Sequence, residues 1–315
     1  MFLPDGPLPQ ILVLPGLPDL ALERLKTGPW ILHAPGTDGT PPSGVSIAAI
    51  VASGGTPVPN GLIDALPDLK IIAVHGVGYD RVDVAHARAR GVVVTHTPDV
   101  LSADVADLAL ALTLSTLRRL PAAERWLRAG DWAGGGKFPL ARSATGLRYG
   151  VLGLGRIGRE IARRLEPFAG DLAYHSRRPV PDVPWRHTPD PVALAASVDV
   201  LIVAVPGGPA TKGLVDGRVL EALGPDGVLI NIARGEVVDE PALIAALSEG
   251  RLGGAGLDVF AYEPEVPRAL LDSDRCVLAP HIGSATAEAR TAMAELVIAN
   301  LTAALAGETP PTPVP

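Results

Sequence analysis

The stretch Val151-Leu152-Gly153-Leu154-Gly155-Arg156-Ile157-Gly158-Arg159-Glu160 passes from an apolar run through a Gly-x-Gly-x-x-Gly turn into a polar segment. This pattern predicts a short strand, a tight turn and the first turn of a helix. Each glycine has its own task there. Gly153 permits the bend, Gly155 lets the main chain approach a pyrophosphate, and Gly158 lets helix and strand pack closely. The helix N-terminus adds unpaired amides that favour an anion. Because the chain holds 35 glycines, the hexapeptide alone also fits an ordinary turn. Its surroundings decide between the two readings.

Downstream, apolar runs at 149–152, 172–175, 200–205, 228–232, 255–259 and 276–279 alternate with helical stretches. Six strands, the first leading into the glycine turn, predict a Rossmann-like, doubly wound dinucleotide-binding domain. Upstream, runs at 11–14, 30–32, 47–51, 71–74 and 92–94 have the rhythm of a second parallel α/β unit, with a Pro- and Gly-rich loop over 37–44. Between the two lies a long, largely buried helix over 102–117, in which Val105, Leu108, Ala109 and Leu112 recur at helical spacing behind a Ser102 cap. A Gly-rich loop follows over 129–143.

The final helix, 286–305, has Ala289, Met293, Leu296, Val297, Asn300 and Leu301 at helical spacing and is expected to return to the first unit. The expected division is 1–98 with 286–315, and 99–285. Two crossovers, near 98–101 and 284–287, would then make a hinge.

The bulk properties agree with two α/β domains. At 315 residues the chain can bury two cores, and with 47% hydrophobic and 19% charged residues it is not a disordered polymer. A net charge of −7 without a long basic run argues against a nucleic-acid partner. No apolar run reaches the ~20 residues that span a bilayer, and no signal core precedes Arg24. A cytoplasmic location is expected. Cys276, the only cysteine, lies in an apolar run and reads as a small buried residue; the histidines lack metal-ligand spacing, so no metal site is expected.

Ligands of open α/β sheets bind beyond the carboxyl ends of the strands. Just past three of the predicted strands come Ala233-Arg234-Gly235, Tyr262-Glu263-Pro264 and Pro280-His281-Ile282. An arginine grips a planar carboxylate bidentately, and a histidine titrates near neutrality and can protonate a carbonyl oxygen as hydride arrives. A carboxylate on the other ring nitrogen fixes the tautomer and favours the imidazolium. The set suits hydride transfer to a 2-oxo acid. From position alone, an ordinary Arg234–Glu263 ion pair and a satisfied loop histidine would look the same.

The runs Asn231 to Glu240, Gly256 to Pro264 and Pro280 to Thr286 closely resemble the D-isomer-specific 2-hydroxyacid dehydrogenases, as do Gly76-Val77-Gly78-Tyr79-Asp80 and Thr97-Pro98-Asp99-Val100-Leu101. The resemblance covers nearly the whole chain. It implies a flavodoxin-like substrate domain beside the dinucleotide-binding one, and a homodimer with 102–128 as a candidate interface. It implies that Arg234 binds substrate, Glu263 supports the histidine, His281 is the acid/base, and the Val77-Gly78 main chain receives the substrate carboxylate. Asp258 would contact the nicotinamide carboxamide, and Arg156 and Ile157 would sit at the pyrophosphate. Pro206, Thr211, Ile232, Ala233, Gly283 and Ser284 would line the cofactor, although Gly207-Gly208-Pro209 departs from the family's commoner wording.

A carboxylate about 20 residues beyond the glycine turn would bind the ribose hydroxyls of NAD. This chain has Tyr174-His175-Ser176-Arg177-Arg178 instead. A serine with two arginines suits the 2′-phosphate, so NADP(H) is the expected cofactor, with NAD(H) possible. The wording of 76–80, Gly130-Asp131-Trp132 and Lys137-Phe138-Pro139-Leu140 resembles the glyoxylate and hydroxypyruvate reductase branch. A small 2-oxo acid is therefore the expected substrate. Trp132 and Phe138 are either substrate contacts or core or interface aromatics. A 2-ketogluconate or other 2-oxo acid reductase, and a cofactor-sensing corepressor-like binding protein, are the alternatives.

Overall fold

The computed structural model describes residues 7–37 and 39–315. Residues 1–6 and Asp38, on which the expected leaderless start and the loop over 37–44 partly rest, lie outside the described residues. The chain divides into two units, 1–101 with 284–315, and 102–283. The crossovers thus fall a few residues from 98/99 and 285/286. One coincides with the start of the long helix at Ser102, where the main chain commits to the second unit.

In the first unit, strands β1 (Gln10–Val13), β2 (Ile31–His33), β3 (Ile47–Ser53), β4 (Ile71–His75) and β5 (Val93–Thr95) form a parallel sheet of order β2-β1-β3-β4-β5. That is the flavodoxin order. Helices α1 (Asp19–Leu25), α2 (Asn60–Asp64) and α3 (Val84–Ala89) connect them. Strands covered on both faces read as continuous apolar runs, and β4 illustrates why. Its Ile72 and Val74 enter a core with Leu12, Ile50 and Ile63, while Ile71 and Ala73 enter another with Leu25, Val297 and Leu301.

In the second unit, α4 (Ser102–Arg118) and α5 (Leu120–Arg128) precede β6 (Leu147–Leu152), α6 (Arg156–Leu165), β7 (Ala169–His175) and β8 (Arg186–His187). Then come α7 (Pro191–Ala196), β9 (Val200–Val203), α8 (Gly217–Leu223), β10 (Val228–Asn231), α9 (Glu240–Ser248), β11 (Gly254–Leu257), α10 (Arg268–Leu271) and β12 (Cys276–Leu278). The parallel sheet has the order β12-β11-β10-β9-β6-β7-β8. The strand order reverses at β6, so the glycine turn emerges at the switch point where such sheets bind ligands. Helix α11 (Ala287–Leu305) belongs to the first unit and packs on α1 and β4. Its Thr286 cap accepts the Ala289 amide at 3.1 Å.

Three expectations need correction. Ser102 does not cap α4: it is the helix's first residue, and its buried hydroxyl bonds no described residue. The second sheet has seven strands among the described residues, not six. The extra one, β8, pairs only Arg186 and His187 with Ala173 and Tyr174, and two residues carry no readable period. Helix α5 is also additional to the expectation: Leu120, Ala123 and Leu127 recur at helical spacing over only nine residues, and the helix fully buries none of its side chains. By contrast α4 packs against α6 and β11, and Cys276 is buried as expected.

Candidate active site

Strands β9 to β12 end one or two residues earlier than their apolar runs, because the chain turns out of the sheet to form the loops that carry the site. At the glycine turn, Gly153 has φ 102° and Gly158 lies so close to it that a Cβ there would stand 2.0 Å from the Gly153 carbonyl oxygen. Neither position tolerates a side chain. Gly155 is the N-cap of α6 without a side-chain cap bond, and a Cβ there would meet nothing within 4 Å. An uncapped helix start, opening at Arg156 and Ile157 beside open space at a glycine, fits a dinucleotide pyrophosphate.

Beyond β7, the Ser176 hydroxyl donates to the Arg178 carbonyl at 2.6 Å, so it braces its own turn. Arg177 and Arg178 are exposed and form no ion pair with a described residue. The Thr211 hydroxyl donates to the Pro206 carbonyl at 2.6 Å, and Glu236 accepts the Gly208 amide at 3.2 Å. The departure at 207–209 is thus a closed loop held from both ends.

Arg234 follows β10 in a loop shaped by Asn231. The buried Asn231 amide group donates to the Arg234 carbonyl at 3.0 Å and accepts the Ala233 amide at 3.0 Å. Its neighbour Ile232 is buried at the end of the same strand. Sequence reasoning gave Asn231 no role; its signal was a lone amide closing an apolar strand. Gly235 is equally constrained, since a Cβ there would stand 1.9 Å from the Phe260 carbonyl carbon. The β10 and β11 loops touch through this gap.

Glu263 and His281 meet directly, with Oε2 2.7 Å from Nδ1. The other Glu263 oxygen accepts the Phe260 amide at 3.0 Å. Burial works against ionisation of Glu263, but the hydrogen bond and charge of His281, the Phe260 amide and the Arg234 guanidinium outweigh it and hold the carboxyl below its usual range. Arg234, Glu263 and His281 therefore share one electrostatic neighbourhood in the second unit.

His281 has φ 53°, a left-handed conformation that a non-glycine residue adopts only when its surroundings impose it. Asp258 imposes it. Its carbonyl accepts the His281 amide at 2.8 Å, while its carboxylate oxygens accept the Ile282 and Gly283 amides at 2.7 and 2.8 Å. Burial raises the Asp258 pKa and the two amides oppose the rise. Besides the cofactor contact implied by resemblance, Asp258 supports the turn that presents the histidine.

The first unit carries Ser284 and the Val77-Gly78 segment. The amides of Val77 and Gly78 donate to no described residue, while the Val77 carbonyl is engaged by His96 at 2.9 Å. Trp132 and Phe138 lie on the second unit's surface, where with Trp126 and Leu127 they line an apolar recess. Trp132 is 68% exposed, which excludes a core role. Among the described residues no helix is long and apolar enough to cross a membrane, and no His, Cys, Asp or Glu cluster could hold a metal ion.

Comparison with known proteins adds four findings. Residues 110–283 match the family model described as D-isomer specific 2-hydroxyacid dehydrogenase, NAD binding domain. Glyoxylate/hydroxypyruvate reductase A of Arabidopsis thaliana is 48% identical over 269 residues, 85% of this chain and 86% of that protein. Hydroxyphenylpyruvate reductase of Plectranthus scutellarioides shows the same identity and the same coverage. The crystal structure of an NADPH-dependent glyoxylate/hydroxypyruvate reductase from Sinorhizobium meliloti, with NADP and malonate, superposes with a TM-score of 0.92 at 47% identity, covering 97% of this chain and 96% of that one.

Proposed function

This chain belongs to the D-isomer specific 2-hydroxyacid dehydrogenase family, as a 2-oxo acid reductase of the glyoxylate/hydroxypyruvate reductase branch, and on that premise we propose that it reduces glyoxylate and hydroxypyruvate with NADPH. The observation that carries the proposal is the 2.7 Å Glu263–His281 pair beside Arg234.

With Nδ1 committed to Glu263, His281 has Nε2 to offer the substrate carbonyl oxygen. The Glu263 carboxylate orients the ring through Nδ1, and the imidazolium gives up its Nε2 proton as the carbonyl becomes an alcohol. Arg234 clamps the substrate carboxylate through two parallel N–H groups and polarises the adjacent carbonyl. In the first unit, the Val77 and Gly78 amides are assigned to a substrate carboxylate. The bound dinucleotide supplies the hydride. In sum, a 2-oxo acid, NADPH and one proton become a D-2-hydroxy acid and NADP+.

Gly153, Gly155 and Gly158, with the amides of Arg156 and Ile157, are assigned to the pyrophosphate, and Pro206, Thr211, Ile232, Ala233, Asp258, Gly283 and Ser284 to the rest of the dinucleotide. Arg177 and Arg178 are assigned to the 2′-phosphate, with Ser176 shaping their turn. A homodimer is proposed through the exposed face of α5.

The test is initial-rate kinetics with NADPH or NADH and, in turn, glyoxylate, hydroxypyruvate, pyruvate, 2-ketogluconate and 4-hydroxyphenylpyruvate. The highest kcat/KM is expected for a two- or three-carbon acid with NADPH. A preference for NADH would overturn the cofactor assignment, and a preference for either larger acid would overturn the substrate assignment. Dinucleotide binding with no turnover of any acid would make the chain a cofactor-binding module.

A further inference from the structure

We propose that His96, Thr312 and Asn300 form a positioning relay that sets the Val77-Gly78 main chain, so that the segment after α11 helps determine affinity for the 2-oxo acid. The inference rests on the assignment of the Val77 and Gly78 amides to the substrate carboxylate.

The relay lies wholly within the first unit. His96 follows β5, and its Nδ1 stands 2.9 Å from the Val77 carbonyl oxygen. Since a carbonyl only accepts, Nδ1 carries the hydrogen and the tautomer is defined. The ring also meets Tyr79 edge-on, with centroids 5.4 Å apart. The segment from Val77 to Tyr79 is thus held by one side chain through a hydrogen bond and a ring contact. Alongside, the Thr97 amide donates to the Gly76 carbonyl at 2.8 Å, which fixes the start of the same segment to the same strand extension.

His96 is itself fixed from behind. Its amide donates to the Thr312 carbonyl at 3.2 Å, and its carbonyl accepts the Thr312 hydroxyl at 2.6 Å. Thr312 is in turn gripped by Asn300 of α11, which accepts its amide at 3.0 Å and donates to its hydroxyl oxygen at 2.8 Å. Asn300 is only 1% exposed, and this pairing accounts for its amide group in an apolar helix face. The segment continues as an added edge on β5, with Pro313 bridged antiparallel to Thr95 and the Val314 amide donating to Val94 at 2.8 Å.

The physical consequence is orientation. A peptide whose carbonyl is held on one side keeps its plane, so the bond from His96 to the Val77 carbonyl sets the direction of the Gly78 amide, and the bond from Thr97 to the Gly76 carbonyl sets that of the Val77 amide. Preorganised donors bind a carboxylate without having to be reoriented. Loss of one such constraint is expected to weaken ground-state binding of the acid, with little effect on the proton and hydride steps.

The experiment uses the full chain with His96→Ala, His96→Asn, Thr312→Val and Thr312→Ser. His96→Ala and Thr312→Val are expected to raise KM for the 2-oxo acid by about five- to tenfold, with kcat within about twofold and KM for NADPH unchanged. The conservative His96→Asn and Thr312→Ser, which retain a donor, should recover most of the affinity. Equal losses in acid and cofactor affinity, or no rescue, would mark a merely structural role and overturn the relay. A crystal structure with NADP+ and oxamate separates this from the assignment beneath it. Oxamate on the 77–78 amides with unchanged KM in all four variants would overturn the relay alone. Oxamate bound elsewhere would overturn the assignment and the relay together.

Discussion

His281 spends conformational energy to stand where it does, and three hydrogen bonds that the amides of residues 281–283 donate to Asp258 hold it there. At this scale the chemistry separates into tests. His281→Ala is expected to lower kcat by roughly 10²- to 10⁴-fold, the usual worth of a positioned acid, with dinucleotide affinity unchanged by titration calorimetry. Unchanged turnover would remove the histidine from the reaction. Arg234→Lys should raise KM for the acid and lower kcat together, because an ammonium cannot reproduce the planar fork. Glu263 is held in its ionised form by its neighbours, so Glu263→Gln replaces the carboxylate on His281 Nδ1 with a neutral amide. It is expected to lower kcat for reduction by at least about tenfold with dinucleotide affinity unchanged; an unchanged kcat would show that the pair is not coupled.

At the scale of elements, the loops after β10 and β11 work as one piece because Gly235 lets them touch. Gly235→Ala would place a Cβ 1.9 Å from the Phe260 carbonyl carbon, and overpacking of that kind costs roughly 1–3 kcal/mol. The expected outcome is a lower unfolding midpoint together with a loss in kcat/KM of at least about tenfold, since Arg234 and Glu263 flank the contact. A fully active, fully stable variant would show that the loops are not coupled.

A second element-level test lies in the first unit, where His75 ends β4. Burial, helped by the nearby Arg290 charge, lowers its pKa to about 4 from 6.5. The native protein keeps this ring neutral while the unfolded chain protonates it. The resulting stability is therefore full above pH 6.5 and is lost as pH falls from 6.5 through 4, on the order of 3 kcal/mol in all. Urea unfolding at pH 7, 5.5 and 4 should show a steeper loss for the parent than for His75→Leu. Parallel curves would refute the buried neutral histidine.

For the whole molecule, the exposed face of α5 is the feature a single copy leaves unexplained. Its Leu127 is exposed and lines one apolar recess with Trp126, Trp132 and Phe138, and contiguous exposed apolar groups of this kind mark an interaction surface. Light scattering is expected to give twice the chain mass of 32.5 kDa, and Leu127→Glu should shift the protein toward the monomer. A monomeric parent at micromolar concentration would rule out the dimer.

The sequence by itself determined the fold class, the glycine turn proposed for the pyrophosphate and the candidate trio Arg234, Glu263 and His281. Each has a local cause: apolar runs mark strands buried on both faces, glycines mark a bend and a close approach, and the candidate residues stand just past strand ends. Family resemblance then turned three separate loops into one expectation. What only the tertiary structure decided depends on partners distant in the chain or on elements too short to show a period. Strand β8 has two residues, and α5 fully buries no side chain. The roles of Asn231 and Gly235, and the support Asp258 gives to the turn at His281, appear only once neighbouring strand ends lie side by side. His96 and Thr312, 216 residues apart, meet because α11 folds back onto the first sheet and carries the last segment to its edge. A hydrogen bond between groups so far apart leaves no mark in either local sequence, because its geometry is set by the sheet and helix that bring them together.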